Sequence, residues 1–274
     1  MERQYYIDWL RIIAIILVLF FHTAMIFAEE WSWHINNDER SYLWLEFNFW
    51  LSRFRMPLLF FISGFGSYLA LRKRSPLRYT RERALRLLIP LHVAIFLVVP
   101  PQIFFERLTQ GATFTFGEFY PTIFQGIPYP EGNTSWHHMW FVAYLFFYAV
   151  AALPIFLLLR KPKVQATLQR WVSAVPNLTY ALFIIPTGLL FTFWTVEWSS
   201  THAFIDDWGY HPYWFSFFFG GYLAGLAPNM LDTLQKHRRN LMGLAILAIV
   251  IINTIRWNKW EDIPLLNRDR KSVV

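Results

Sequence analysis

Apolar runs of about twenty residues, separated by short polar segments, recur along the chain. A run of that length crosses the roughly 30 Å hydrocarbon layer as an α-helix rising about 1.5 Å per residue. The runs fall near residues 7 to 27, 49 to 71, 87 to 105, 138 to 159, 178 to 195, 213 to 227 and 241 to 255, the last two being the shortest. They predict an all-α, polytopic transmembrane helix bundle of about seven spans, because neither irregular coil nor an open sheet edge can face lipid. With no internal repeat or linker visible, residues 1–274 read as a single integral-membrane domain. The tail, residues 256–274, breaks the pattern with Arg268-Asp269-Arg270-Lys271, and the chain is expected to be incomplete at its C-terminal end.

The polar segments alternate in sign. The second holds Arg72, Lys73, Arg74, Arg78, Arg81, Arg83 and Arg86, the fourth Arg160, Lys161, Lys163 and Arg170, and the sixth Lys236, Arg238 and Arg239. The odd segments carry Glu29, Glu30, Asp38 and Glu39, then Glu106, Glu118 and Glu131, then Glu197, Asp206 and Asp207. By the positive-inside rule the even loops, and with them the N-terminus, are cytoplasmic. The outer loops also carry Trp31, Trp33, Tyr120, Tyr129, Trp136, Trp198, Trp208 and Tyr210, which fit an interfacial belt or a stacking surface for sugars.

Composition sharpens the class. Hydrophobic residues make up 55% of the chain and charged ones 16%, against about 25% charged in soluble domains. A net charge of +7 would point to nucleic acid in a soluble protein, but here the basic residues are used by the loops that set topology, so no nucleic-acid partner is expected. With no cysteine there is no disulfide, thiolate metal site or cysteine nucleophile. The first run has no small-residue cleavage pattern near Phe27-Ala28-Glu29 and reads as a retained span.

That first run carries Asp8, Arg11 and His22. Arg11 and His22 stand eleven residues apart, close to three turns and about 16 Å of rise, so they share a helix face that Asp8 nearly shares. Ionisable groups in a span cost about 2.5–3.5 kcal/mol each at the bilayer centre and mark function by default. An interfacial anchor is the plainer reading of each one taken alone. In the second run, Arg55 stands near the outer edge and Ser63-Gly64 in the middle, which suits close helix packing, a locally opened backbone or the lining of a thin ligand channel. Arg83 and Arg86 share a face where the third run leaves the cytoplasm, as a phosphate clamp or as topology determinants. His137-His138 precede Trp140, as a metal pair, a proton-handling pair or a polar cap. Adjacent histidines on a helix diverge by about 100° and no H-E-x-x-H motif occurs, so no metal site is expected.

In order and spacing, five motifs resemble the acyltransferase 3 family of bacterial membrane proteins. They are Asp8-x-x-Arg11, Arg11 with ten residues before His22, Arg55-Met56-Pro57 running to Ile62-Ser63-Gly64-Phe65, Arg83-x-x-Arg86 leading to Pro90, and His138-x-Trp140-Phe141. The segment Trp31-Ser32-Trp33-His34-Ile35-Asn36, together with Phe54-Arg55-Met56, is further similar to a branch that modifies periplasmic glucans. The likeness covers roughly residues 5 to 227; family members have a core of ten spans, more than the seven read here.

The resemblance implies an O-acyltransferase in the bacterial cytoplasmic membrane. It takes an acyl group, acetyl or succinyl, from cytoplasmic acyl-CoA to a hydroxyl of a periplasmic or cell-surface glycan. It implies that His22 is the catalytic base, with Arg11 deeper on the same helix beside Asp8. Arg83, Arg86, Ser63 and Gly64 are implied to serve acyl-CoA, a co-substrate, with no cofactor bound permanently. Arg55, His138 and Trp140 are candidates for the acceptor or oxyanion side. A histidine suits a base because its ordinary pKa of about 6.5 leaves it mostly neutral near pH 7. A transporter or flippase for an acyl or glycan intermediate is the competing class, whose paired halves are not visible in the sequence.

Overall fold

The computed structural model describes residues 5–31, 33–174, 178–195, 198 and 200–258. Glu197 and the tail beyond residue 258, with its Arg268-Asp269-Arg270-Lys271 cluster, lie outside the described residues. The described chain is helical, its only extended contacts being two isolated bridges, Ala28 with Ser41 and Pro128 with Thr134. In order, the elements are α1 (Tyr5–Met25), α2 (Tyr42–Lys73), α3 (Pro76–Val93), a π segment (Ala94–Val98), α4 (Val99–Thr109) and α5 (Phe116–Phe119). Two 3₁₀ turns follow (Tyr120–Gln125 and His137–Met139), then α6 (Trp140–Ala151), α7 (Leu153–Leu159), α8 (Pro162–Ala174) and α9 (Leu178–Leu189). A second π segment (Leu190–Trp194), α10 (Tyr210–Leu226), α11 (Asn229–Lys236) and α12 (Arg238–Trp257) complete it.

Each predicted run becomes helix, and the chemistry of the ends explains where. Ser41 caps α2 by accepting from the Leu43 N–H at 3.2 Å. Ser75 caps α3 ahead of Pro76, which needs no donor at a first helical position. Pro154 cannot donate to the carbonyl four residues before it, and α6 and α7 meet there at a bend of 50°. Four helical stretches, Tyr5–Met25, Tyr42–Lys73, Pro76–Thr109 and Arg238–Trp257, are long and apolar enough to cross a membrane, and a fifth is added if the bent pair counts as one span. The expectation of about seven is therefore met in full length by four or five. The shortfall lies in α9 with its π segment, twelve and five residues, and in α10, of seventeen.

α2 is the axis of the bundle, lying against α1 on one side and α10 on the other, while α3 packs on α6. Small residues allow the α2–α10 approach: a Cβ added at Gly64 would collide with the Phe218 carbonyl, and one at Gly221 with the Phe61 carbonyl. The largest core joins Phe60 and Tyr68 of α2 to Tyr144 and Tyr148 of α6 and Phe218 and Tyr222 of α10. Tyr222 stacks on Phe156 of α7 with ring centroids 3.6 Å apart. α2 itself is continuous helix, so of the readings offered for Ser63-Gly64 the tight crossing is realised at Gly64 and the opened backbone is not.

Two loops build on the end of the bundle where α1 finishes. The segment after α1 is drawn back by bonds from Asn37 N to Ile26 O (3.0 Å) and Ser41 N to Phe27 O (2.9 Å), and its Trp33 ring comes within 5.7 Å of that of His22. The segment after α5 folds onto the end of α4, where the Arg107 guanidinium donates to Asn133 Oδ1 (3.4 Å) and the Gly132 carbonyl (3.1 Å). α12 meets α2 through Arg256, which pairs with Glu46 at 2.7 Å, and through Ile252, packed on the cluster that holds Leu45 and Phe49.

Candidate functional site

His22 stands one turn before the end of α1, half-buried. Its Nδ1 lies 2.7 Å from the Val18 carbonyl oxygen. A carbonyl only accepts, so Nδ1 carries the proton of the neutral ring and Nε2 keeps the lone pair. The tautomer that a base needs is thus set by the helix's own backbone. Phe21 meets the ring edge-on at 5.3 Å, and His138 lies 4.4 Å from it between centroids. His138 is in turn stacked on Trp33 at 5.1 Å and 15°.

Arg55 of α2 reaches the same place, its guanidinium 3.5 Å from the centre of the Phe21 ring. Its Nε is buried with no hydrogen-bond partner, and no carboxylate pairs with it among the described residues. A sheltered cation without a counter-charge favours an anion, or a group that becomes one, beside it.

Beyond His138 the row of imidazoles continues. His34 lies 5.8 Å from His138 and is stacked on His137 at 4.5 Å and 11°. His34 Nδ1 is 2.8 Å from Glu106 Oε2, and the Glu106 side chain is only 4% exposed. The other Glu106 oxygen accepts from the Tyr129 hydroxyl at 2.6 Å and from Gln110 Nε2 at 3.3 Å. Burial, then the bond to Glu106, raises the Tyr129 phenol's pKa, so that it remains a donor. His137 Nδ1 bonds to the Ser135 hydroxyl at 2.6 Å, while its Nε2 is buried with no partner among the described residues. His137 holds a left-handed backbone, φ 41°, a conformation that costs energy in a residue with a side chain.

Trp140, at the start of α6, is buried under His202, with centroids 4.4 Å apart. The segment that carries His202 is held by Trp136 Nε1, donating to the His202 carbonyl at 3.1 Å, and by buried Asp207, which accepts from the Tyr144 hydroxyl at 2.8 Å and from Thr201 N at 3.1 Å. Burial, and secondly the Arg55 guanidinium, hold the His202 ring well below its ordinary pKa, at about 4. Burial pushes the Asp207 carboxyl up in spite of its donors.

The remaining predicted residues lie toward the opposite end of the bundle. Arg83 leans onto α2, donating to Ser67 Oγ at 2.9 Å and to the Ser63 carbonyl at 3.4 Å, so it reaches the Ser63 turn directly. Gly64 is used by the crossing with α10. Arg86 and Arg11 are exposed and Asp8 is half-buried. Arg11 and His22 share a face, yet only His22 is covered, because its cover comes from the loops rather than from a neighbouring helix. The structure therefore gathers His22, His138 and Arg55 at one end, Ser63 and Arg83 at the other, and leaves Trp140 beside the first group.

His34, Glu106, Tyr129, His137 and His202 are the members of this environment that the sequence reading did not join to His22. Glu106 reads in the sequence as one more acidic loop residue, and His34 as part of a motif; only the loop folding brings them to the neighbourhood of His22.

Residues 4–267 match the model of a family described as an acyltransferase domain. The chain is 28% identical over 193 residues to glucans biosynthesis protein C of Salmonella gallinarum, covering 69% of this chain and 48% of that protein. It is 30% identical over 193 residues to the protein of the same name from Salmonella paratyphi B, with the same coverage. It thus spans about half the length of the curated relatives it matches. No solved structure matches it. The motifs from Asp8 to Phe141 and the match across nearly the whole chain agree, and the chain belongs to the acyltransferase 3 family.

Proposed function

We propose that this chain works in the cytoplasmic membrane of a bacterium as an O-acyltransferase, moving an acetyl or succinyl group from cytoplasmic acyl-CoA to a hydroxyl of an extracytoplasmic glycan. The observation that carries the reading is the His22 tautomer: Nδ1 is committed to the Val18 carbonyl, and Nε2 is left as the basic nitrogen near an Arg55 without a counter-charge. Family membership and the name of the Salmonella relatives, glucans biosynthesis protein C, support acyl transfer and a glucan-like acceptor. The orientation follows the loop charges, which put the N-terminus and the Arg83 end in the cytoplasm and His22 in the outer half of the membrane.

In this mechanism His22 Nε2 takes the proton of the acceptor hydroxyl as that oxygen attacks the thioester carbonyl. The new C–O bond forms, the C–S bond breaks, and the coenzyme thiolate leaves with the proton that His22 took up. Arg55 faces the oxygen that becomes negative in the tetrahedral intermediate. Arg83 and Arg86 hold the coenzyme's phosphates by charge-assisted bonds, and the pantetheine arm runs past Ser63 toward the base. The Arg55-to-Ser67 interval is twelve residues of one continuous helix, about 18 Å of rise, an interval that a long, thin arm can span. Trp33, half-buried, offers an aromatic surface at which a sugar ring can stack.

The test is His22→Ala in cells that carry the complete gene, read by mass spectrometry of envelope glycans. Loss of the acyl modification with the protein still present in the membrane is the expected result. Unchanged modification at equal protein level would falsify the assignment of the base.

A further inference from the structure

Three side chains from three separate stretches converge beside the row of imidazoles. They are His34 of the loop between α1 and α2, Glu106 near the end of α4, and His137 of the turn before α6, and each offers one donor atom within 4.8 Å of the other two. We propose that His34, Glu106 and His137 form a binding site for a divalent transition-metal ion of the zinc class, distinct from the His22 base.

The donor set is right for that class. Two imidazole nitrogens and one carboxylate oxygen are a set that zinc takes, with three protein ligands and one position left for water. Donors at about 2.0–2.2 Å from a tetrahedral ion stand about 3.4 Å apart, so the observed spread closes with side-chain shifts of little more than an ångström. Two of the three donors already have the outer support that metal ligands usually carry. The Glu106 carboxylate is held through its other oxygen by Tyr129 and Gln110. His137 has its Nδ1 occupied by Ser135 at 2.6 Å, which leaves Nε2 as its ligand atom.

Two observations point to a ligand rather than to a hydrogen-bonded cluster alone. His137 Nε2 is a buried polar atom with no partner among the described residues, and such an orphan is costly unless something fills it. The backbone of the same residue is held at φ 41°, a strain that persists only where the surroundings enforce it. An ion would meet the first and repay the second. It takes the place of the proton between His34 Nδ1 and Glu106 Oε2, now 2.8 Å apart; the neutral His34 ring then carries its one proton on Nε2, which frees the Nδ1 lone pair to ligate. The ion ties the loop after α1, the end of α4 and the approach to α6 into one clasp. Sequence spacing does not reveal it: His34 and Glu106 are 72 residues apart, and no local metal motif links either of them to His137.

The test uses the whole chain, purified in detergent through a tag without histidine, stripped with a chelator, exposed to zinc and desalted. About one zinc per chain by elemental analysis is expected, together with visible d–d absorption when cobalt(II) replaces zinc. Glu106→Gln and His137→Ala should each lower zinc affinity at least tenfold, while His22→Ala keeps it, as does His92→Ala in α3, where the exposed ring bonds only to the Leu88 carbonyl of its own helix among the described residues. The proposal is overturned if the folded wild-type chain retains less than a tenth of an equivalent of zinc, which would leave a proton as the only bridge between His34 and Glu106. It is equally overturned if Glu106→Gln and His137→Ala hold zinc as the wild type does, or if His22→Ala alone releases it. The cobalt spectrum of the wild type needs no variant, so a poorly folding substitution does not decide the matter.

Discussion

At the end of the bundle that carries His22, ionisable side chains come from α1, α2, the loop after α1, the end of α4 and the turn before α6, and are sheltered against one another. At the end that carries Arg83 they come from one continuous stretch, residues 72–86, and Arg72, Lys73, Arg78, Arg81 and Arg86 are exposed. Even the ion pairs differ: Glu82 joins Arg74 (2.8 Å) and Arg78 (3.0 Å) at the surface, whereas His34 meets a Glu106 side chain that is 4% exposed. Surface pairs are screened and contribute little, while sheltered groups feel each other strongly and must have partners. The first arrangement suits proton transfer at a fixed geometry; the second suits holding a mobile, multiply charged ligand.

The contrast is broken most directly at His22, the proposed base. His22→Ala should lower kcat for acyl transfer by about 10²–10⁴ with little change in the KM for acyl-CoA, since general acid–base catalysis is worth that much. A variant that changed only KM would place His22 with the binding groups instead. Next in size is the crossing that holds the two ends in register. Gly64→Ala forces a Cβ onto the Phe218 carbonyl and should cost about 1–3 kcal/mol or more as overpacking, seen as a lower Tm in detergent. Gly188→Ala, where a Cβ meets nothing within 4 Å, should leave Tm unchanged or slightly raised, and equal losses at both glycines would remove the packing argument.

A third test uses acid. The folded chain holds His202 neutral, with its pKa lowered to about 4 by burial and by Arg55, against about 6.5 unfolded. Between those values the unfolded chain binds more protons, so stability is fully present above about pH 6.5 and is lost as pH falls toward 4. On the order of 2 kcal/mol should disappear between pH 7 and pH 5. His202→Asn, which keeps a residue tolerant of the observed φ of 53° while removing the titration, should flatten that part of the Tm–pH curve; a curve of unchanged slope would show that His202 is not the group responsible. The smallest effect belongs to the other end. Arg83→Ala should raise the KM for acyl-CoA about tenfold, the loss of roughly one charge-assisted contact, with kcat little changed and the KM of the wild type rising with salt.

Much of this architecture is legible in the chain itself. The seven apolar runs become helices, and the proline, serine and glycine positions account for caps, the α6–α7 bend and the α2–α10 approach, because each acts within a turn or two of backbone. The eleven-residue interval puts Arg11 and His22 on one face for the same reason. The sequence also determined the family, since its motifs are read in order along the chain. What surrounds His22 was decided elsewhere. A helix period says which face a residue occupies, but not which loop folds back over it. The bonds that return residues 33–41 to α1, and those that set residues 127–138 on the end of α4, join positions far apart and leave no periodic trace. Only the tertiary structure therefore put His138 and Trp33 against His22, used Gly64 for packing while Arg83 reached Ser63, and brought His34, Glu106 and His137 within 4.8 Å of one another.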